Sequence, residues 1–281
     1  ERVEGLSRLL LEFHQILIQD QRSHVERGCA LLAHGLGLES KAKTTTELIE
    51  VVYGSQLNPS TIQGALYGVR SNARSIRDTL PSDFFESINR LTATAETFDV
   101  LSPGSSLKAI LDRLAVSNGI YEWLAPSDES AHFFELGRSL ERMDLVSRLL
   151  LLKIEKEWKE QGPATTLRAI GGLSTFLKSR VPITGDRVRT FLIQDQSFPR
   201  SLLQTSKAAE SALREICTFI SVSPGPILRP IGLLTSEILF LDNNSSTQDE
   251  IIHKTPLSVE ETSDAVRANF FRPTGSIVWS N

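Results

Sequence analysis

"ERMDLVSRLLL", residues 141–151, reproduces "ERVEGLSRLLL", residues 1–11, at seven of eleven positions, with Glu4 replaced only by Asp144. Average residue frequencies would give about one match in such a window. The same offset of 140 persists along the chain: Gln56 falls on Gln196, Pro59 on Pro199 and Arg74 on Arg214, without a gap. Solenoid units run about 20–50 residues, so a period this long points instead to duplicated bundles. The expectation is an all-α fold, a duplicated helical bundle of two tandem repeats, 1–140 and 141–281, related by a pseudo-two-fold axis within a single domain spanning 1–281.

Helical periodicity supports this almost everywhere, and no stretch alternates as a strand would. In 59–80, Ile62, Leu66, Val69, Ala73, Ile76 and Leu80 step by four and three, which places one apolar stripe on one helix face. Asn58 before Pro59 reads as an N-cap with proline at the first helical position. Helices are expected near 1–35, 44–53, 59–79, 82–97, 105–124, 127–161, 164–179, 184–194, 199–221 and 228–241. "DNNSSTQDE" reads as a polar loop, followed by a last helix with Val259, Ala265, Val266 and Phe270 inward and a tail that docks through Trp279 or is loosely held.

With 281 residues and 40% hydrophobic content the chain can fill a core. Thirty Lys and Arg against 34 Asp and Glu leave a net charge of −4, so no global basic field exists for nucleic acid or an anionic membrane. The longest apolar runs, such as Leu149–Leu152, fall far below the roughly 18 residues of a bilayer span. Cys29 and Cys217 lack metal-ligand spacing and fit a reducing compartment, so cytoplasmic location is the expectation. Glu1 stands inside a helical pattern, which suggests a chain that starts after a leader or is a piece of something longer.

On an ideal helix Gly137, Glu141, Asp144 and Arg148 fall within about 60° of one another, away from the apolar Leu136, Leu140, Met143, Val146 and Leu150. Such a stripe reads either as a solvated face with weak ion pairs or, because both copies keep it, as a contact surface. If the two long helices pair, Gly137 would permit close approach and the carboxylates of each motif could cross-pair with the arginines of the other. Alternatively some guanidinium groups face a cleft and bind a carboxylate or phosphate, the task their planar fork suits. Arg70, Arg74 and Arg77 form a second basic stripe, with Asp78 four residues after Arg74. Acids of a neighbouring helix or an anionic ligand would satisfy it equally well.

Other chemistry is sparsely signalled. The five histidines form no HExxH, and Glu250-x-x-His253 falls in the expected loop without the second copy a dimetal bundle needs, so no metal site is expected. "GLGL" near residue 35 is followed by no Lys-Ser or Lys-Thr, and no Gly-x-Ser-x-Gly occurs. Cys29 reads as a buried small hydrophobe.

"LGRSLERMDLVSRLLL", "NPSTIQGALYGVRSNARSIRDTLPSDFFESINRL" and "FLIQDQSFPRSLLQ", three motifs in order, resemble the bacterial alpha-E family, an all-helical domain named for its Glu-Arg motif. The similarity runs from Glu1 to "AVRANFF", essentially the whole chain. The resemblance implies a partnership with a circularly permuted ATP-grasp ligase, sometimes fused to it, and a setting beside transglutaminase-like proteins and a proteasome-like peptidase. ATP and Mg would then act through the partner ligase, with no cofactor held by this chain. Carried over residue by residue, the motifs point to Glu1, Arg2, Arg70, Asn72, Arg74, Arg77, Asp78, Gly137, Arg138, Glu141 and Arg142, to which the helix face adds Arg148. Three functional readings follow: an accessory helical subunit of an amide or peptide ligase; an enzyme of peptide or amide metabolism using Glu141 as acid or base; and a structural dimerisation module.

Overall fold

The computed structural model describes the backbone of residues 1–18, 22–38, 42–242 and 244–271, and the side chains of all these except 22, 23 and 155. Among the described residues there are helices and no strand, so the fold is all-α. In order they are α1 (Arg2–Leu17), α2 (Arg22–Gly35), α3 (Thr45–Tyr53), α4 (Ile62–Ser75), a 3-10 turn (Arg77–Thr79), α5 (Ser82–Glu96), α6 (Pro103–Leu124), α7 (Glu129–Leu151), α8 (Ile154–Glu157), α9 (Gly162–Ile170), α10 (Leu173–Leu177), α11 (Gly185–Gln194), α12 (Leu202–Ile220), α13 (Gly225–Leu239) and α14 (Ser245–Phe270). One extensive core runs through both halves of the chain, from Leu10 and Phe13 of α1 through Met143 of α7 to Leu213 and Ile216 of α12. A smaller cluster of Ala73, Phe84 and Ile88 packs with Tyr121 and Phe134 at one end, where the Tyr121 and Phe134 rings stack at 3.9 Å.

The α4 segment shows how side chains set a helix start. Asn58 does not cap the helix. Its carboxamide oxygen accepts from the Ser60 amide at 3.0 Å, and Pro59 lies in the turn so formed. Thr61 is the N-cap, accepting from the Gly64 amide at 3.1 Å and donating its hydroxyl to the Ser55 carbonyl at 3.0 Å. The turn folds so tightly that a Cβ at Gly64 would lie 1.8 Å from the Asn58 carbonyl oxygen. The turn before α12 is built from the same bonds: Ser201 accepts from the Gln204 amide at 3.1 Å and donates to the Asp195 carbonyl at 2.6 Å. Helix α4 stops at Ser75, and only part of its expected stripe is buried. Ile62, Leu66 and Ala73 are, whereas Val69 and Ile76 are exposed.

Three expected helices are broken. Residues 1–35 contain α1 and α2, and residues 127–161 break where Lys153 adopts φ +48°. Residues 164–179 break at Gly171, φ +75°, where the Gly172 amide bonds the Leu167 carbonyl at 2.7 Å and closes the end of α9. The opposite correction applies to the stretch read as a loop after residue 242. Asn244 caps α14, accepting from the Ser246 amide at 3.1 Å, and the helix then runs 26 residues through Pro256. Its buried stripe includes Gln248, Thr255, Ser258 and Thr262. Thr255 and Thr262 return their hydroxyls to carbonyls four residues back, at 2.8 and 2.7 Å, so polar residues sit in the interior with their groups satisfied. Val266 is buried, with Val259, Ala265 and Phe270 packed beside the core as expected. Trp279 lies outside the described residues.

Candidate functional site

The two Glu-Arg motifs meet where α1 crosses α7. Gly5 permits the crossing: a Cβ there would lie 2.1 Å from a methyl of Leu145. Gly137, expected to fill that role, has open space where its Cβ would be. Across the crossing, Arg2 donates from Nε and Nη2 to the two carboxylate oxygens of Glu141, both at 2.6 Å. The reciprocal pair is Arg142 and Glu1, whose Nε and Oε1 stand 3.0 Å apart. These two atoms are buried and make an ion pair without an aligned hydrogen bond. The Glu141 hydrogen bonds raise the pKa of Arg2 above its ordinary value, against the cost of burial.

A further member of this network was not among the expected site residues. Arg200, in the turn before α12, donates to Glu4 Oε1 at 2.5 Å and stands 3.7 Å from Glu1. Glu4 also accepts from Arg8 at 2.9 Å. Burial opposes the charge on Glu4, but Arg200 and then Arg8 outweigh it and lower its pKa. The sequence signal was available: Glu4 matches Asp144 in the doubled motif, and Arg200 follows the Pro199 that marks the register. Spacing points Glu4 to Arg8, four residues on, but not to Arg200.

The remaining expected residues divide among separate surroundings. Arg148 pairs with Asp144 at 2.7 Å on the same helix. Arg138 donates to Glu122 of α6 at 2.7 Å and to Glu135, and these acids overcome burial to raise its pKa. Arg77 lies 4.5 Å over the Phe85 ring, a cation–π contact that accounts for its place in the stripe. Asp78 is exposed and forms no ion pair among the described residues.

Helix α4 separates two cavities. The wider, about 450 Å³, lies between α4 and α7 and is lined by Glu1, Arg2, Asn72, Arg138 and Glu141, with Gly68 and Gly137 on its walls. Every charged group on its lining already has an oppositely charged partner. The narrower, about 290 Å³, lies on the other face of α4, between it and α3 and α5, and holds Arg70 and Arg74. A third, about 310 Å³, is bordered by Ser60, Asp144 and Arg148. Arg70 and Arg74 are therefore brought together, while Arg77, Asp78 and Asn72 stand elsewhere.

Among the described residues no group of three or more His, Cys, Asp or Glu is placed to hold a metal ion. Glu250 and His253 lie on helix α14, not in a loop. Cys29 and Cys217 are buried free thiols, and burial, aided by the Glu47 charge, pushes the Cys29 pKa up to about 11, so it carries no nucleophilic thiolate at neutral pH. No described helix is long and apolar enough to cross a membrane. No curated protein and no solved structure matches the chain. A family model matches residues 1–271 and is described as a predicted alpha-helical domain with a conserved ER motif, and the chain belongs to that family, Alpha-E.

Proposed function

We propose that the chain is a non-catalytic helical partner of an ATP-dependent carboxylate–amine ligase of the circularly permuted ATP-grasp type, working in the cytoplasm of a bacterium as one domain. In this reading its two units, 1–140 and 141–281, arose by duplication and pack about a pseudo-two-fold axis. The crossed pairs Arg2–Glu141 and Arg142–Glu1, and the matching turns capped by Thr61 and Ser201, support that relationship. The Glu-Arg motif then serves as the clamp between units, and ligand recognition falls to arginines that the clamp leaves free. ATP and Mg are held by the ligase, and a transglutaminase-like protein acts in the same setting.

The observation that carries the reading is the pair Arg70 and Arg74, which line a cavity without an ion-pair partner among the described residues. Guanidinium groups that line a cavity without a carboxylate partner favour an anionic ligand, such as the acyl phosphate or peptide carboxylate a ligase handles. Glu141 as an acid or base gains no support, because both its oxygens are bonded to Arg2. Co-expression with the cognate ligase is expected to yield a stable complex, with ligase turnover lowered by Arg74→Ala. Absence of a complex together with unchanged turnover overturns the proposal.

A further inference from the structure

Gln63, Tyr67, Arg70 and Arg74 follow one another at intervals of four, three and four, which sets them on one face of α4. That face closes the cavity of about 290 Å³ against Tyr53 and Glu96. The Nε of Arg70 is buried and has no hydrogen-bond partner. Like charges four residues apart on a helix repel, and no carboxylate among the described residues pairs with either arginine; Glu96 lines the cavity but is exposed and bonds neither. Helix α12 shows the self-neutralised alternative: at the positions 140 residues on, Glu210 accepts from Arg214 at 2.5 Å. The opposite wall is stiff, since the Tyr53 hydroxyl donates to the Ala95 carbonyl at 2.6 Å and its ring stacks on Phe98 at 4.1 Å.

We propose that this cavity is a binding site for the oxyanion head of a small ligand, a carboxylate or phosphoryl group held in the fork of Arg70 and Arg74, with Tyr67 and Gln63 as neutral donors. The inference rests on the partner reading only for its biological setting and deepens it by naming the ligand chemistry. The volume sits at the lower end of the roughly 300–1,000 Å³ of small-molecule sites, which suits an amino-acid-sized anion and not a nucleotide.

The test is to follow the arginine Nε–Hε signals of the purified chain by NMR while titrating inorganic phosphate, N-acetylglycine or N-acetylglycinamide at constant ionic strength. Saturable shifts of Arg70 and Arg74 with phosphate identify a phosphoryl head, and with N-acetylglycine a carboxylate; the neutral amide is expected to shift neither. Arg74→Gln, at an exposed position with little bearing on folding, is expected to weaken binding at least about tenfold. Arg70→Glu, which recreates the Glu210–Arg214 arrangement, is expected to abolish binding and raise the melting temperature. No saturable shift with either anion, or unchanged affinity in Arg74→Gln, overturns the site. Anion binding with no ligase complex and unchanged ligase turnover overturns the partner reading and leaves the site standing; a complex without anion binding does the reverse.

Discussion

Arg2 and Glu141, at opposite ends of the first 141 residues, share two parallel hydrogen bonds of 2.6 Å across the α1–α7 crossing. Planar forks of this kind couple geometry to charge more tightly than a lysine could. A double-mutant cycle with Arg2→Met and Glu141→Gln is expected to give a coupling of about 1–2 kcal/mol in urea unfolding, since the pair is only partly solvent-exposed. Arg2→Lys should lose most of that coupling. Additive single mutants would mean that the motif does not clamp the two helices.

The same crossing makes opposite demands on two glycines. A Cβ at Gly5 meets Leu145 at 2.1 Å, whereas one at Gly137 meets nothing within 4 Å. Gly5→Ala is expected to destabilise by about 1–3 kcal/mol through overpacking, with recovery in the Gly5→Ala, Leu145→Ala double variant. Gly137→Ala should stabilise by about 0.5–1 kcal/mol, the helix-propensity gain. Thermal denaturation of the three variants checks this, and equal costs at the two glycines would contradict the geometry.

These sites also show what the chain's spelling could reveal. The cross-pairing of the Glu-Arg motifs was legible because each motif carries a Glu beside an Arg, so each could supply the other's partner. The apolar stripe of α4 was legible from period in part, at Ile62, Leu66 and Ala73. By contrast, α14 concealed itself because its inward face carries Gln248, Thr255, Ser258 and Thr262, and Gln248, Thr255 and Thr262 find hydrogen-bond partners inside the helix bundle. Lys153 ends α7 in a left-handed conformation usually marked by glycine. The glycine needed for close approach could not be chosen from sequence either, because both Gly5 and Gly137 are helical and only the neighbour's side chain decides. Arg70 and Arg74 were legible as neighbours in the spacing, but Arg77 was read with them and Gln63 and Tyr67 were not, and the missing acids became visible only once α3 and α5 were in place.

Glu4 gives the network a pH dependence. Arg200 and Arg8 lower its folded pKa beneath the ordinary 4.5 despite burial. The unfolded carboxylate therefore takes up its proton at higher pH than the folded one, so this contribution to stability is complete above about pH 4.5 and is lost as pH falls through the folded value. Urea unfolding between pH 3 and pH 6 should show stability falling more steeply with acid in the native chain than in Glu4→Gln. Arg200→Met should remove the larger part of the difference and Arg8→Met the smaller. Parallel profiles for native and Glu4→Gln would exclude Glu4 as the source.

Thr61 and Ser201 carry the two matching turns. Each accepts a helix amide at 3.1 Å and donates to a carbonyl six residues earlier, and each is buried. Removing either hydroxyl leaves a helix-start amide unsatisfied where water has little access, and at Ser201 the Asp195 carbonyl as well, so Thr61→Ala and Ser201→Ala are each expected to cost about 1–2 kcal/mol. Thr61→Ser keeps both bonds and should cost less than about 1 kcal/mol, the value of a lost methyl. Amide exchange adds a local readout: the Gly64 and Gln204 amides should lose protection in their own alanine variant and keep it in the other. Loss of protection only on global unfolding would show that the helix ends are held by packing and not by these caps.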